Sequence, residues 1–178
     1  MVENKSGQPL PDYLEPGLKI LFVGFNPSIR SGEVGHHFAS PNNRFWKILY
    51  EAGLTPRQYS ALEDGTMLEL GYGLTNLVAR PTRAAADVDA AEYAAGAELL
   101  IRKIKLNLPR VVCCVGKGVY QIYARQRRAE WGFQPTGTVP GVIDFAAPSS
   151  SGLVRMRTEA IVGIYRTLNT FLQDSPPK

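Results

Sequence analysis

The segment LKILFVGFNPS occupies residues 18–28 and joins an apolar run to a polar turn. Its first part, Leu18–Val23, is short, continuous and apolar, which predicts a β-strand that is buried on both faces. The Asn26-Pro27 pair predicts a turn directly after the strand. Strands buried on both faces are typical of parallel sheets covered by helices, so this segment indicates an α/β fold.

Predicted strands and helices alternate along the rest of the chain. The clearest helix start is Asp89, which can cap the helix while Glu92 completes a reciprocal capping box. The predicted strands are 18–23, 72–78, 111–115 and 142–146, and the predicted helices are 42–52, 89–107, 119–128 and 158–173. This alternation predicts a three-layer α/β sandwich with a central, mostly parallel sheet of four to five strands and helices on both faces.

Length, composition and charge restrict the class of protein. The chain has 178 residues, of which 44% are hydrophobic, and a formal net charge of +4. We expect a single domain over residues 17–173, between polar segments at 1–16 and 174–178 that fray. No apolar run approaches the roughly 20 residues that span a bilayer, so we expect a cytoplasmic protein. Basic residues cluster between 102 and 128, where solvated helix faces and a polyanion-binding surface are both open explanations.

The two cysteines, Cys113 and Cys114, are adjacent within an apolar run. Neighbours on a strand point to opposite faces, so we predict two reduced core thiols and no disulfide. A metal site would have to draw on His36 and His37, which offer no workable ligand spacing. We therefore expect no metal and no cofactor.

Two polar loops follow the first and the last predicted strand. They cover residues 25–41 and 147–155 and are rich in Asn, Ser, Gly and Pro. Taken singly, their motifs are compatible with ordinary turns. In open α/β sheets, however, ligands bind beyond the carboxyl ends of the strands. The two loops are therefore the candidate site.

The motifs in combination resemble the mismatch-specific uracil-DNA glycosylases and the thymine-DNA glycosylases. They are GFNP at 24–27, FASPNNRFW at 38–46, GLTNLV at 73–78, RPT at 80–82, VGK at 115–117 and PSSSGL at 148–153. The resemblance implies an enzyme that flips uracil, or another damaged or mismatched pyrimidine, out of duplex DNA and hydrolyses its N-glycosidic bond. We expect a monomer that acts on double-stranded DNA with G·U or related mismatches, associated with the bacterial nucleoid through that substrate.

The resemblance assigns roles in the first loop residue by residue. Asn26 matches the catalytic asparagine that positions the attacking water, and Phe38 matches the aromatic residue that stacks on the flipped base. Phe25 occupies the position whose backbone helps to read the pyrimidine edge, and Asn76 is predicted to bind the base as well. Because the amide of Asn26 is neutral, we expect slow chemistry with a relaxed choice of pyrimidine. A carboxylate would shield the positive sugar better, so we expect Asn26→Asp to keep or raise uracil excision.

The resemblance also implies a DNA-binding surface in the second loop. Leu153 matches the wedge residue that fills the gap left by the flipped base, and residues 149–151 match a segment that binds phosphates. Lys117 lies in a Gly-Lys-Gly turn that suits a DNA phosphate and lacks the longer spacing of a triphosphate-binding loop. The predicted DNA-binding residues are Ser149, Ser150, Ser151, Gly152, Leu153, Val154, Arg155 and Lys117.

The sequence does not decide the roles of three side chains, and it is compatible with two other classes of function. Asp87 has no structural task visible in the sequence, so a carboxylate that assists catalysis and a solvated loop residue are both possible. His36 and His37 are either solvated or in contact with substrate. The alternative functions are a nucleotide-binding α/β protein without base excision and a non-catalytic DNA-damage-binding domain.

Overall fold

The computed structural model describes residues 7–176, and within them one mixed sheet forms the centre of the domain. The strand order is β2-β1-β3-β5-β4, with β4 antiparallel to β5 and the other pairs parallel. The strands are β1 (Ile20–Gly24), β2 (Tyr72–Asn76), β3 (Val111–Val115), β4 (Gly132–Phe133) and β5 (Ile143–Ala147). The predicted α/β sandwich with a mostly parallel sheet is confirmed.

Five α-helices and two 3₁₀ segments complete the described chain. The α-helices are α1 (Ile29–Val34), α2 (Phe45–Glu51), α3 (Ala90–Asn107), α4 (Lys117–Ala124) and α5 (Thr158–Asp174), and the 3₁₀ segments are Ala61–Leu70 and Ala85–Asp87. Asp89 caps α3 and forms the predicted capping box with Glu92. The predicted α4, 119–128, ends four residues too late, because Arg125 adopts a left-handed conformation, with φ of 55°, that ends the helix.

The sheet separates two apolar cores, which explains why β1 and β3 are apolar and buried throughout. Helices α2 and α5 cover one face, and helices α3 and α4 cover the other. Cys113 points into the first core and Cys114 into the second, and both are free. Burial raises the pKa of both thiols, so they are held in the protonated form. The prediction of two reduced core thiols is confirmed.

Part of the N-terminal segment is attached to the sheet, whereas the sequence predicts that it frays. Residues 1–6 lie outside the described part, but the backbone of Tyr13 pairs with that of Leu74 through hydrogen bonds of 2.9 and 3.1 Å. Asp12 accepts a 2.6 Å hydrogen bond from the hydroxyl of Thr75 and forms an ion pair with Lys103. Asp12 and Tyr13 are therefore attached along the edge strand β2 instead of fraying.

Within residues 7–176 no helix combines the length and the apolarity that crossing a membrane requires. The same range contains no group of three His, Cys, Asp or Glu side chains arranged to hold a metal ion.

Candidate active site

A pocket of about 550 Å³ opens at the carboxyl ends of the parallel strands. The chain leaves β1 toward β2 on one side, while β3 lies on the other side of β1, so the pocket occupies a topological switch point. Both predicted loops contribute to it, as do the ends of β2 and β3. The residues that line the pocket include Gly24, Phe25, Asn26, Phe38, Asn76, Thr82, Arg83, Ser149, Ser150, Ser151, Gly152 and Leu153.

Asn26 lies in the pocket with its side-chain amide fixed at two points. Its nitrogen is 3.0 Å from the carbonyl oxygen of Arg80 and 2.7 Å from the hydroxyl oxygen of Thr82. A backbone carbonyl can only accept, so the nitrogen, and not the oxygen, must face Arg80. Both amide hydrogens are thereby used, and Oδ1 is the atom of Asn26 that can accept a hydrogen bond from water.

Phe38 forms an aromatic platform in the pocket wall. Its ring stacks on that of Phe45, with centroids 3.9 Å apart and an interplanar angle of 17°. Its backbone is left-handed, with φ of 51°, which is unusual for a residue with a large side chain. The indole of Trp46 donates a hydrogen bond to the Phe38 carbonyl at 3.3 Å, so the motif that supplies the platform also holds its strained backbone.

Asn76 reaches the pocket from the end of β2 and is tied to His37. The Asn76 amide nitrogen lies 3.3 Å from Nδ1 of His37, and a Cβ atom on Gly24 would come within 2.7 Å of the Asn76 Oδ1. Glycine at position 24 therefore leaves room for the Asn76 amide above β1. His37 is 1% exposed and does not line the pocket. It is therefore neither solvated nor placed to touch a substrate in the pocket, and it is a buried partner of Asn76.

Buried Asp64 organises the loop that carries the two histidines. Its carboxylate accepts hydrogen bonds from the hydroxyl of Tyr13 at 3.1 Å and from the backbone N–H of His37 at 2.8 Å. The half-buried ring of His36 contacts the same carboxylate at 3.0 Å. Burial and the adjacent carboxylate raise the pKa of Tyr13 to about 12, so its hydroxyl stays protonated as a donor.

Phe25 directs its side chain away from the pocket. A Cβ atom on Gly116 or Gly118 would lie 3.1 or 2.6 Å from the Phe25 ring, which also packs edge-on against Tyr93. Because the ring is occupied by this packing, the backbone of Phe25 is the part that is available to the pocket. Gly116 and Gly118 are explained by this packing, so they give no support to an anion-binding turn.

The second loop presents Leu153 at the rim of the pocket. Leu153 is 93% exposed, while Ser150 at the base of the loop is 1% exposed. A Cβ atom on Gly152 would lie 2.7 Å from the carbonyl oxygen of Asn42, so the second loop touches the segment that follows the first loop where glycine is required. An exposed leucine on a loop that packs against this segment has the form expected of a wedge.

Arg44 holds the second loop in place through hydrogen bonds, which we call the Arg44 clamp. Its guanidinium donates hydrogen bonds to the carbonyl oxygens of Ser151 at 3.0 Å, Val154 at 3.2 Å and Met156 at 3.1 Å. Its backbone N–H also donates to the carbonyl of Ser150 at 2.9 Å. Carbonyls of an irregular loop need donors when they are buried, and Arg44 supplies several from one side chain.

Four predicted site residues lie outside the pocket. Val154 and Arg155 follow the wedge but do not line the cavity. The ammonium group of Lys117 lies 4.0 Å from the ring centroid of Trp131, and Lys117 does not line the pocket. Asp87 is exposed, and its carboxylate accepts a hydrogen bond from the Ala84 N–H at 3.0 Å, which caps a 3₁₀ segment. Asp87 thus has a structural task that the sequence did not reveal.

Sequence interpretation missed Arg44, Thr82, Arg83 and Asp64. Arg44 and Thr82 lie within the FASPNNRFW and RPT motifs, which gave a signal that these positions matter. Their roles depend on backbone carbonyls and hydroxyls that are distant in sequence, so the motif alone could not assign them. Asp64 lies in a segment for which no element was predicted, and it carries no signal beyond its charge.

Two comparisons connect this geometry with known proteins. Residues 11–173 match the model of the family described as the uracil DNA glycosylase superfamily. The chain also resembles the solution structure of a Methanosarcina acetivorans protein proposed to be a uracil DNA glycosylase. The identity is 20%, the TM-score is 0.57, and the match covers 93% of this chain and 98% of that one. At this identity the structural likeness shows a shared fold.

Proposed function

The chain belongs to the uracil DNA glycosylase superfamily, and we propose that it removes uracil from G·U mispairs in duplex DNA as a monofunctional N-glycosidic hydrolase. The observation that carries this proposal is the pocket in which the fixed amide of Asn26 and the platform of Phe38 lie behind the exposed Leu153. We propose further that it acts as a monomer in the cytoplasm.

The reaction begins with rotation of the target nucleotide out of the duplex. A glycosidic carbon inside the base stack is inaccessible, and extrusion costs a few kcal/mol. Leu153 enters the vacated stack and offsets part of that cost. Its side chain is almost fully exposed in the free protein, so it has no packing contacts to lose on insertion.

The extruded pyrimidine is held by stacking and by its polar edge. Phe38 provides one face for the base, which contributes roughly 1–3 kcal/mol without selecting one base. Asn76 offers both an acceptor and a donor to the edge of the pyrimidine. The backbone at Phe25 completes this wall, because the Phe25 ring is occupied by its packing against Gly118.

Bond cleavage is assisted by Asn26 without a general base. As the glycosidic bond breaks, positive charge develops on the sugar and the pyrimidine leaves as an anion. The water held by Oδ1 of Asn26 adds to the sugar carbon, and its proton passes to solvent or to the departing base. A neutral amide orients water but does not deprotonate it, which favours slow turnover.

DNA phosphates are bound around the mouth of the pocket. Residues 149–151 offer hydroxyl and amide groups there, and Arg83, exposed at the rim, offers a cation. Val154 and Arg155 follow the wedge on the outer side of the loop, where the partner strand would lie. Lys117 and Asp87 have no part in this proposal, because neither lines the pocket and each has a partner within the protein.

A labelled duplex with one G·U pair tests the function. We expect alkali to cleave the labelled strand at the uracil after incubation with the protein, and no cleavage without alkali, because a hydrolase leaves an intact abasic site. A·U, G·T and single-stranded uracil substrates of the same sequence measure base and opposite-base preference. Absence of alkali-labile sites on all of them would refute base excision. Tight binding of G·U duplex without cleavage would favour the damage-binding alternative.

A further inference from the structure

We propose that His37, held by the carbonyl of Pro11, determines which pyrimidine the pocket accepts by fixing the orientation of the Asn76 side-chain amide. The inference rests on the proposed function, since it concerns the choice of base in the same pocket. It makes His37 a positioning residue, because its ring is buried behind Asn76 and does not line the cavity.

The tautomer of His37 follows from its contact with the N-terminal segment. Nε2 of His37 lies 2.8 Å from the backbone oxygen of Pro11. A carbonyl oxygen accepts and never donates, so Nε2 must carry a hydrogen. Pro11 is itself held in place by its neighbours, because Asp12 binds Thr75 and Tyr13 pairs with Leu74 along β2.

The His37 ring is neutral, which leaves Nδ1 as an acceptor. Burial lowers the pKa of His37, and this effect exceeds the opposing influence of the charges on Asp64 and Asp12. Asp64 directs its carboxylate to the backbone N–H of His37 and to the ring of His36, and not to the ring of His37. A neutral ring with hydrogen on Nε2 has a lone pair on Nδ1.

Asn76 therefore has a defined amide orientation. Its nitrogen lies 3.3 Å from Nδ1 of His37 and donates to that lone pair. The reverse orientation would bring Oδ1 of Asn76 against Nδ1, two acceptors with no hydrogen between them. One amide hydrogen is thus committed to His37, and Oδ1 together with the second hydrogen remains for the ligand.

This orientation distinguishes uracil from cytosine. Uracil presents a donor at N3 and an acceptor at O4, which match Oδ1 and the remaining hydrogen of Asn76. Cytosine presents an acceptor at N3 and a donor at its amino group, and would pair only with the reversed amide. Sites built to satisfy one hydrogen-bonding pattern reject the other strongly, because buried polar groups are left unpaired. The stacking platform of Phe38 cannot supply this choice, since every base has an aromatic face.

Nitrogen NMR of the wild-type protein without DNA tests the first step. We expect His37 to be neutral, with a protonated Nε2 and an unprotonated Nδ1. A proton on Nδ1, or a charged ring at neutral pH, would reverse the donor and acceptor roles and overturn the inference. This readout does not depend on base excision, so it is separate from the test of the proposed function.

Two substitutions at His37 test the consequence for base choice. The amide oxygen of His37→Asn can replace Nδ1 as an acceptor, whereas His37→Gln reproduces Nε2 and its contact with Pro11 but leaves Asn76 without a partner. We expect the ratio of uracil to cytosine excision under single-turnover conditions to fall about tenfold or more in His37→Gln. The ratio in His37→Asn should remain closer to that of the wild-type protein. His36→Gln is the matched control, because His36 contacts Asp64 and not Asn76.

The outcomes separate the inference from the function. If wild-type protein excises uracil while both His37 variants keep the wild-type ratio, the inference is overturned and the function stands. If wild-type protein excises no base, the proposed function fails, and base choice by His37 fails with it whatever the tautomer. Melting curves identify variants that do not fold. If His37→Gln does not fold, the inference is tested by the relative affinity of the wild-type protein for uracil and cytosine. Tighter binding of cytosine would contradict the inference.

Discussion

The side-chain nitrogen of Asn26 donates to the hydroxyl oxygen of Thr82 at 2.7 Å, and that hydroxyl in turn donates to the carbonyl of Ala84 at 2.6 Å. Because the threonine proton is committed to Ala84, the oxygen can only accept from Asn26. Thr82 is 6% exposed, so water does not compete freely for these contacts. The pair fixes Oδ1 of Asn26 toward the pocket before any substrate arrives.

Removal of the Thr82 hydroxyl should slow excision without weakening binding. Thr82→Val keeps the shape of the side chain but leaves an amide hydrogen of Asn26 unpaired and the amide free to turn. We expect a loss of about 1–2 kcal/mol of transition-state stabilisation, a factor of roughly 5–30 in the single-turnover rate, with duplex affinity nearly unchanged. Thr82→Ser retains the hydroxyl and should stay near the wild-type rate. Equal rates for Thr82→Val and wild type would exclude this positioning role.

The same contacts reverse the expectation for Asn26→Asp. The sequence alone predicts that a carboxylate at this position keeps or raises uracil excision. In the structure it would direct an oxygen at the Arg80 carbonyl 3.0 Å away and at a Thr82 oxygen whose proton is already donated. We therefore expect Asn26→Asp to excise uracil more slowly than wild type. Its free energy of unfolding should fall by about 1–3 kcal/mol, which lowers the melting temperature. A faster variant of unchanged melting temperature would contradict the assigned amide orientation.

The wedge role of Leu153 predicts a difference between two substrates. Leu153→Ala should reduce excision from duplex DNA much more than excision from single-stranded DNA, because a single strand has no vacated stack to refill. The substitution should leave the melting temperature unchanged, since the side chain is 93% exposed. Excision is measured on the same uracil-containing strand with and without its complement. Equal losses on both would remove Leu153 from the wedge role.

The Arg44 clamp predicts a stability effect with a functional consequence. Arg44→Ala removes the donors that bind the carbonyls of Ser151, Val154 and Met156. We expect a loss of about 2 kcal/mol, equivalent to a fall of roughly 4–8 °C in melting temperature for a chain of this size. Duplex excision should fall further than single-strand excision, because the loop that carries Leu153 is no longer fixed. If Arg44→Ala keeps the wild-type melting temperature and the wild-type rate on duplex DNA, the loop keeps its conformation without Arg44.

The order of strands and helices could be predicted from the sequence because local signals determine it. Asp89 and Glu92 form a capping box that is visible as a spacing, and residues 111–115 form a strand that is visible as a continuous apolar run. The 3₁₀ segment Ala61–Leu70 has no comparable periodicity and was missed. The short helix α1 was missed inside a predicted loop, where its cap by Ser28 is the main local signal.

The site could be predicted only in part, because its geometry depends on contacts between distant residues. The motifs gave Asn26, Phe38, Asn76 and Leu153, and all four line the pocket. The groups that orient Asn26 and Asn76 come from other segments, and one of them, the backbone carbonyl of Arg80, has no sequence signature. The phosphate contact of Lys117 stays a prediction, since the spacing between two glycines suggests it and the sequence gives no sign of the Trp131 ring beside this lysine.

Single-turnover uracil excision by Asn26→Ala is the most direct test of the account, because the mechanism depends on a water held by Oδ1 of this residue. The assay uses a G·U duplex in excess protein, alkali to reveal abasic sites, and a melting curve for each protein. We predict that wild type converts the duplex, while folded Asn26→Ala is slower by about a hundredfold or more, the effect of removing a positioned polar group. A folded Asn26→Ala protein that excises uracil at the wild-type rate would contradict the assignment of Asn26.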